Sequence, residues 1–278
     1  MAQIDYLTVG HITRDLTPEG DKLGGAVSFS SRLAQALGCR TAVLTSCAPD
    51  FIWQHELPGV EIVSILAGQT TTFENVYTST GRIQTISGVA APILAQHVPE
   101  AWRRASIVHL GPVADEVDPA MIHLFSNSMV CLTPQGWLRQ WDENGRVSPK
   151  AWRDAPEFLP LVAAVIVSHE DLPDDDTLEQ YQDLAKLLVV TRGHDGCTVY
   201  YDDEIRHIPT PKVKEVDATG AGDTFATAFF VRLYQTGGNP WEAARFANEI
   251  AALSVGYSGV SAKITAVQNY LRKETGRQ

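Results

Sequence analysis

One stretch of nine residues, from Asp217 to Phe225, restricts the possible structures of this chain more than any other segment. It reads Asp-Ala-Thr-Gly-Ala-Gly-Asp-Thr-Phe and leads into an apolar segment. Apolar side chains recur at helical spacing from Phe225 to Leu233, which predicts a helix that begins near Gly222. Glycines at positions 220 and 222 allow the backbone to turn sharply and to approach a ligand closely. The stretch therefore predicts a tight turn followed by a buried helix.

The start of this predicted helix has the chemistry of a site for anions. The first backbone N–H groups of a helix lack partners within the helix, and the helix dipole makes that end mildly positive. The carboxylate of Asp223 would lie at the rim of such a site. An enzyme that transfers a phosphoryl group to a hydroxyl needs donors for the transferring group and a base for the hydroxyl. A short Gly-Ala-Gly also fits a plain turn in which Asp223 caps the helix.

The complete stretch resembles the C-terminal signature of the ribokinase (pfkB) family of carbohydrate kinases, Asp-Thr/Ala-Thr/Ala-Gly-Ala-Gly-Asp-x-Phe. This resemblance implies a ribokinase-like α/β fold in three layers, with a mostly parallel sheet flanked by helices and a small β lid. It implies that Asp223 is the general base and that the amides of Gly220, Ala221 and Gly222 form an anion hole. It further implies ATP and Mg²⁺ as cofactors, with K⁺ beside Asp217 as a third, as in several relatives.

A second part of the resemblance lies near the N-terminus, after a predicted strand over residues 4–9. The resemblance implies that the carboxylate of Asp15 and the backbone of Gly24 and Gly25 hold the hydroxyls of the acceptor, and we place Ser28 with them. On local sequence alone, Asp15 also fits a solvated loop. Phe29 stands where many relatives carry an asparagine, which argues against an ordinary furanose such as ribose. The Gly-Gly-Ala-Val-Ser-aromatic segment is similar to the branch that contains myo-inositol kinases.

The alternating pattern between residues 70 and 86 predicts a β-hairpin. We expect the chain to form one kinase domain over residues 1–278, with a slim lid contributed by about residues 12–24 and 70–88. Such a lid would exclude water from the reaction and suppress hydrolysis of the donor. A plain hairpin at the edge of a sheet fits the pattern equally well.

The middle of the chain departs from the family pattern at two positions. Thr133 stands where relatives carry an aspartate, but Gln135 and Arg139 remain candidate contacts to substrate or phosphate, since an arginine fork suits phosphate oxygens. An arginine at the surface without a ligand is an equally good interpretation. Ser168 and Asp171 replace an asparagine and a glutamate, and Asp171 can still hold Mg²⁺ through water. The acidic run that begins at Asp171 also fits the start of a solvated helix.

The donor side of the predicted site is carried by two further segments. A strand over residues 187–191 ends in a Thr-x-Gly-x-x-Gly pattern, which resembles the family's nucleotide loop and implies that Thr191, Gly193 and Gly196 line ATP. The same three residues fit an ordinary hairpin turn. An alanine-rich helix over residues 241–255 resembles the one that relatives place beside adenine, with Asn248 as the candidate contact, although small residues at helical spacing usually indicate close packing.

Composition narrows the class of protein further. The chain has 278 residues and a net charge of −11, which argues against nucleic acid or an anionic membrane as a partner. Its four cysteines are scattered, which indicates free thiols in a cytoplasmic protein. We find no signal-peptide pattern and no apolar run that could span a bilayer. We expect a monomer or a homodimer.

The sequence therefore predicts an ATP-dependent kinase for a small sugar or polyol, with a myo-inositol-like acceptor favoured. A nucleoside kinase is an alternative, in which Phe29 or Phe73 would stack on the base. A non-catalytic sugar-binding protein on the same scaffold is another. A Rossmann-type dehydrogenase is disfavoured, because no Gly-x-Gly-x-x-Gly follows the first strand. The identity of the acceptor and the hydroxyl that is attacked stay open at this point.

Overall fold

The computed structural model of the chain describes residues 3–18, 20–78 and 81–275. Its strands are β1 (Tyr6–Val9), β2 (Thr13–Thr17), β3 (Gly20–Gly24), β4 (Thr41–Cys47), β5 (Glu61–Leu66), β6 (Thr71–Thr78), β7 (Gly81–Gly88), β8 (Ile107–Leu110), β9 (Met129–Leu132), β10 (Arg139–Trp141), β11 (Val147–Pro149), β12 (Ala164–Ser168), β13 (Leu187–Thr191), β14 (Cys197–Tyr201) and β15 (Glu204–Ile208). Its α-helices are α1 (Ala26–Ala36), α2 (Ala155–Phe158), α3 (Asp175–Leu184), α4 (Ala221–Gln235), α5 (Pro240–Ser254) and α6 (Val260–Thr275). Across these residues, no helix is both long enough and apolar enough to cross a membrane.

A nine-stranded sheet forms the centre of the protein, in the order β15-β14-β13-β12-β9-β8-β1-β4-β5. The pairs from β13 through β12, β9, β8, β1 and β4 to β5 are parallel, and only β14 and β15 run antiparallel to their neighbours. Inner strands such as β1, β8 and β13 are mostly apolar and almost completely buried, which fits a sheet covered on both faces.

Helices cover both faces of this sheet. On one face, alternate strand residues pack against apolar side chains of α1, α4, α5 and α6, such as Phe229 and Ile250. On the other face, they pack against Phe158 of α2 and against Leu178 and Leu184 of α3. The result is a three-layer α/β architecture with a large apolar core on each face of the sheet.

The strand order reverses at β1, and this reversal positions the site. The chain leaves β1 towards β4 and β5 on one side and later returns to β8 on the other. In open parallel sheets, ligands bind in the crevice beyond the carboxyl ends of the strands at such a reversal. The segment after β1 and the residues that follow β9 and β12 open onto this edge.

A separate four-stranded sheet, in the order β3-β2-β6-β7, follows directly from the end of β1. It uses the two segments in which we expected a lid, and its action as a lid stays a prediction. Glu19 and residues 79–80, which fall in those segments, lie outside the described residues. The region around Asp15 was expected to be a loop, but it is strand β2, because β2 pairs with β3 on one side and with β6 on the other.

Two other details differ from the sequence-based expectation. The apolar run over residues 161–167 predicts a strand, but β12 begins only at Ala164, because a 3-10 turn around Pro160 (Leu159–Leu161) precedes it. The short hairpin of β10 and β11 was not expected at all, and it places Arg139 in a strand next to the crevice.

A buried carboxylate holds the loops that follow β1 and β8 together. Glu116 is only 4% exposed. Its two oxygens accept hydrogen bonds from the backbone N–H groups of His11 (2.7 Å), Val113 (3.0 and 3.1 Å) and Ala114 (2.7 Å). Because each of these donors would otherwise be buried without a partner, the side chain stabilises the backbone at the edge of the sheet where the crevice lies.

We expect Glu116→Ala to lower the free energy of unfolding by about 3 kcal/mol or more, since it leaves three buried N–H donors without an acceptor. Urea denaturation followed by circular dichroism measures this change. The matched control is Glu143→Ala, at an exposed position, with an expected effect within about 0.5 kcal/mol. Equal effects of the two variants would contradict the role given to Glu116.

Candidate active site

The N-terminus of α4 provides free backbone donors. The helix begins at Ala221, as the sequence predicts, and Gly220 precedes it in the left-handed region with φ of 73°. Within the described part of the chain, the N–H groups of Gly220, Gly222 and Asp223 have no hydrogen-bond acceptor. The N–H of Ala221 donates to the carbonyl of Ala218 at 3.0 Å. The expected anion hole is therefore corrected at one position, because the amide of Ala221 is engaged in the turn and that of Asp223 is free.

The ring of Phe29 packs against the backbone of this turn at Gly220. A Cβ atom on Gly220 would lie 2.3 Å from the Phe29 ring, so the ring is in contact with the glycine backbone. Only a glycine fits here, for steric reasons and because of its positive φ. The aromatic residue that departs from the family pattern thus packs against the anion-binding turn, and its side chain is 5% exposed.

Asp223 has the chemistry of a base that is held near neutrality. The pKa of its carboxyl is raised to about 6: burial is the largest cause, the guanidinium of Arg139 opposes it, and the charges of Asp15 and Asp171 add to it. A carboxyl with a pKa in this range can both accept a proton and release it near physiological pH. The structure therefore brings Asp15, Arg139 and Asp171 within electrostatic reach of Asp223.

Asp15 lies in β2, next to the glycine pair. A Cβ atom on Gly24 would lie 2.3 Å from Oδ2 of Asp15, and the hydroxyl of Thr13 donates to Oδ1 at 2.8 Å. Burial raises the pKa of Asp15, while the Thr13 hydrogen bond and the charge of Arg139 lower it. Gly25, with φ of 86°, packs against the carbonyl of His11, where a Cβ atom would clash at 2.3 Å.

Ser28 does not have the place that we expected. It is fully buried, and its hydroxyl donates to the carbonyl of Gly24 at 2.6 Å. The reason is its position in the first turn of α1, where a serine hydroxyl reaches a carbonyl four residues back. Ser28 therefore supports the glycine backbone and does not present a hydroxyl to the acceptor.

Arg139 is the cation at the centre of the crevice, and it is 7% exposed. Its guanidinium lies 3.7 Å from Oδ1 of Asp171, donates to the carbonyl of Val113 at 3.3 Å and lies 5.8 Å from the centre of the Phe73 ring. The amide of Gln135 donates to both oxygens of Asp171, at 3.1 and 2.9 Å. Gln135 and Arg139 thus meet at Asp171, although Mg²⁺ binding by Asp171 through water stays a prediction.

The proposed donor loop lies at the same edge of the sheet. Thr191 ends β13 in register with Ser168 of β12, three residues before Asp171. Gly193 and Gly196 both have positive φ, of 55° and 91°, in the turn that leads to β14. The nucleotide contacts expected of these residues stay a prediction.

Asn248 is placed differently from the expectation of an adenine contact. It is 4% exposed, and its amide donates to the carbonyl of Ile208 at 2.9 Å. Because the amide is engaged inside the protein, Asn248 holds the end of β15 against α5 and does not offer a donor to a ligand.

Lys263 is a residue of the site that sequence reasoning missed. Its side chain is 2% exposed, and its ammonium donates to the carbonyls of Asp217 and, at 2.8 Å, of Thr219. Burial lowers the pKa of Lys263, and the charges of Asp217 and Glu215 raise it. A lysine among the apolar residues of the first turn of α6 is the signal that could have identified it, because a cation is disfavoured there.

Comparison with known proteins gives a family match and relatives that align over most of this chain. Residues 147–266 match the model of the pfkB family carbohydrate kinases. An inositol 3-kinase of Zea mays is 30% identical, over 99% of this chain and 79% of its own length. A cytidine kinase of Thermococcus kodakarensis is 26% identical, over 81% of this chain and 87% of its own.

Solved structures share the fold. A pyrophosphate-dependent kinase in the ribokinase family, complexed with a pyrophosphate analog and myo-inositol, superposes with a TM-score of 0.78 at 22% identity, over 91% of this chain and 96% of its own. The ribokinase of Arabidopsis thaliana complexed with ribose and ATP gives 0.71 at 17% identity, over 96% and 99%. The predicted ribokinase-like α/β fold is thereby confirmed.

We expect Asp223→Asn to raise the melting temperature at neutral pH. The folded-state pKa of about 6 lies above the ordinary value of 3.8, so the ionised carboxylate costs stability at high pH. That cost disappears as pH falls through about 6 towards the ordinary pKa, whereas asparagine stays neutral throughout. Differential scanning fluorimetry between about pH 7.5 and about pH 4 should therefore show an advantage that shrinks on acidification.

The matched control for this measurement is Asp176→Asn, at an exposed position in α3. Its melting temperature should stay close to that of the wild type over the same pH range. A lower melting temperature of Asp223→Asn at neutral pH would contradict the burial cost assigned to Asp223.

Proposed function

Because the chain belongs to the pfkB family of carbohydrate kinases, we propose that it transfers a phosphoryl group from ATP to a hydroxyl of a small polyol resembling myo-inositol. It is a phosphotransferase with an alcohol as acceptor. The observation that carries the proposal is the carboxyl of Asp223, poised with a pKa of about 6, beside free N–H groups at the start of α4.

The proposed reaction uses these groups in one displacement. Asp15 and the backbone of Gly24 and Gly25 hold the acceptor so that one of its hydroxyls faces Asp223. The hydroxyl oxygen forms a bond to the γ-phosphorus of ATP while the bond between that phosphorus and the ADP oxygen breaks. The hydroxyl proton passes to the carboxylate of Asp223. The free amides of Gly220 and Gly222 donate to the oxygens of the transferring group.

Arg139 supplies the positive charge that this crowded set of carboxylates needs. Through its charge it lowers the pKa of both Asp15 and Asp223, so that each is held closer to its ionised form. When bound, Mg²⁺ neutralises charge on the donor phosphates, and Asp171 is the candidate to hold it through water. Gln135 donates to both oxygens of Asp171 and so fixes the orientation of this carboxylate, which is what binding Mg²⁺ through a water molecule requires.

The polyol is favoured over a nucleoside on a structural ground as well as by similarity. Stacking on a base requires an aromatic face open to the crevice. Phe29 and Phe73 are 5% and 4% exposed, and their rings face Gly220 and Arg139. A relative named inositol 3-kinase and a structural neighbour with bound myo-inositol support the polyol, while the relative named cytidine kinase keeps the nucleoside as the second candidate.

ATP is favoured over pyrophosphate as the donor. Exposed apolar side chains lie in the segment that leads into Asp217 and in the segment that follows α5, with Val213 48%, Val216 60% and Tyr257 44% exposed. A nucleotide base would cover such a surface, and pyrophosphate has no group that could. We place the reaction in the cytoplasm, since Cys39, Cys47, Cys131 and Cys197 are all free thiols. The proposed oligomeric state is a monomer or homodimer.

The experiment that tests this function measures phosphoryl transfer across a panel. Acceptors are inositols, ribose, fructose and nucleosides, and each is tested with Mg-ATP and with Mg-pyrophosphate. We expect the highest kcat/KM for an inositol with ATP. A higher kcat/KM for a nucleoside would show that the proposed acceptor is wrong. Turnover with pyrophosphate alone would show that the proposed donor is wrong. Donor binding without turnover on any acceptor would favour a non-catalytic role.

We expect Asp223→Asn to lower turnover by about 10²–10⁴-fold, because it removes the base. In the wild type, kcat/KM should fall about tenfold for each pH unit below about 6, since the base is inactive once protonated. The groups that face this carboxyl are Asp15, Asp171 and Arg139.

Initial rates between about pH 5 and about pH 9 measure both effects. The control Asp176→Asn should retain the wild-type rate and the same acidic limb. Wild-type turnover in Asp223→Asn, with the limb unchanged, would remove Asp223 as the base.

A further inference from the structure

The burial of Lys263 has a cost that packing alone does not explain. Lysine is among the residues least often buried, because its ammonium loses water, and here the side chain is 2% exposed. It also lies in the first turn of α6, where the helix dipole repels a cation. Contacts of the ammonium must therefore compensate for both the lost hydration and the repulsion by the helix dipole.

Those contacts are oxygen atoms of the turn that precedes the anion hole. The ammonium donates to the main-chain carbonyls of Asp217 and Thr219, and it lies 4.0 Å from Oδ2 of Asp217. Two carbonyls from neighbouring positions thus point at one cation. This arrangement fixes the orientation of the peptides that lead into Gly220.

The rest of the turn is tied to the same point. Oδ1 of Asp217 accepts from the N–H of Thr219 at 2.9 Å, and Oδ2 accepts from the hydroxyl of Ser258 at 3.1 Å and the N–H of Gly259 at 3.3 Å. The carboxylate and the ammonium therefore clamp the turn to the N-terminal end of α6. Removing the cation would leave the carbonyls of Asp217 and Thr219 without the donor that joins them.

Such a set of oxygens is also a site for an alkali cation. Main-chain carbonyls and carboxylates are the ligands that hard cations select, and carbonyl oxygens can replace the hydration shell of K⁺. An ammonium group carries the same charge as K⁺ and is of similar size. Lys263 brings the same charge to these oxygens through its N–H donors and is held there by the chain.

We propose that Lys263 is a tethered cation that takes the place of K⁺ behind the anion hole, so that this kinase needs no soluble monovalent cation. The K⁺ that the sequence led us to expect beside Asp217 is thus replaced by a side chain of the protein. Lys263 is a positioning residue, which acts on phosphate through the backbone of Gly220 and Gly222. This inference rests on the proposed kinase function.

The test compares wild type, Lys263→Ala and Lys263→Met, with Lys273→Ala as the control. Lys273 is exposed on the same helix. Rates are measured in KCl, NH₄Cl, methylammonium chloride and tetramethylammonium chloride at constant ionic strength. The wild type and the control should respond less than about twofold to the cation, since their site is already filled.

Lys263→Ala should lose about 100-fold in turnover in tetramethylammonium and regain at least about tenfold with K⁺, NH₄⁺ or methylammonium, because these fit the space that the side chain leaves. Lys263→Met, whose side chain fills that space without a charge, should be equally slow and should not be rescued. If Lys263 acted through packing alone, Lys263→Met would be more active than Lys263→Ala, and no cation would rescue either variant.

A thermal readout separates this inference from the proposed function. K⁺ and methylammonium should raise the melting temperature of Lys263→Ala and leave wild type and Lys273→Ala unchanged. If no acceptor supports turnover but this pattern holds, the kinase function fails and the tethered cation stands. A wild-type enzyme activated many-fold by K⁺, or a Lys263→Ala protein that no cation restores in either assay, would overturn the inference. Should Lys263→Ala not fold, the wild-type response to K⁺ decides.

Discussion

The site depends on a few unpaired backbone N–H groups held in one orientation at the start of α4. A helix offers such donors at every N-terminus, but they bind a transferring phosphoryl group well only when the preceding turn is fixed. Here the turn is fixed from two sides, with the ring of Phe29 against Gly220 and the ammonium of Lys263 on the carbonyls of Asp217 and Thr219. Residues far apart in the chain thus hold the proposed anion hole in one orientation.

A balance of charges sets the chemistry beside that hole. Asp15, Asp171 and Asp223 are three carboxylates in one crevice, and burial together with their mutual repulsion raises the pKa of Asp223. Arg139 opposes that rise. The outcome is a carboxyl with a pKa of about 6, which is ionised at neutral pH and has the basicity that the proposed base needs. The raised pKa that gives this basicity also means that the ionised carboxylate lowers the stability of the folded protein.

Sequence reasoning succeeded where local pattern and local chemistry agree. The apolar spacing after Phe225 predicted α4, and the ribokinase-like three-layer α/β fold is confirmed. It was less accurate for side chains whose role depends on neighbours distant in sequence. Ser28 and Asn248 are polar and stand at plausible positions, but their hydrogen bonds are made inside the protein. The amide of Ala221 is engaged because the turn closes on Ala218, which the glycines alone do not indicate.

The sequence by itself determined the kind of protein, because the glycines, the proposed base and the apolar helix that follows lie within a short segment where spacing fixes geometry. Only the tertiary structure decided what surrounds that segment. Arg139 enters the crevice on a hairpin without a strong local signal, and Lys263 arrives from α6, about 40 residues beyond the turn that it holds. The physical reason is that electrostatic and steric contacts act through space, whereas periodicity and turn chemistry act along the chain.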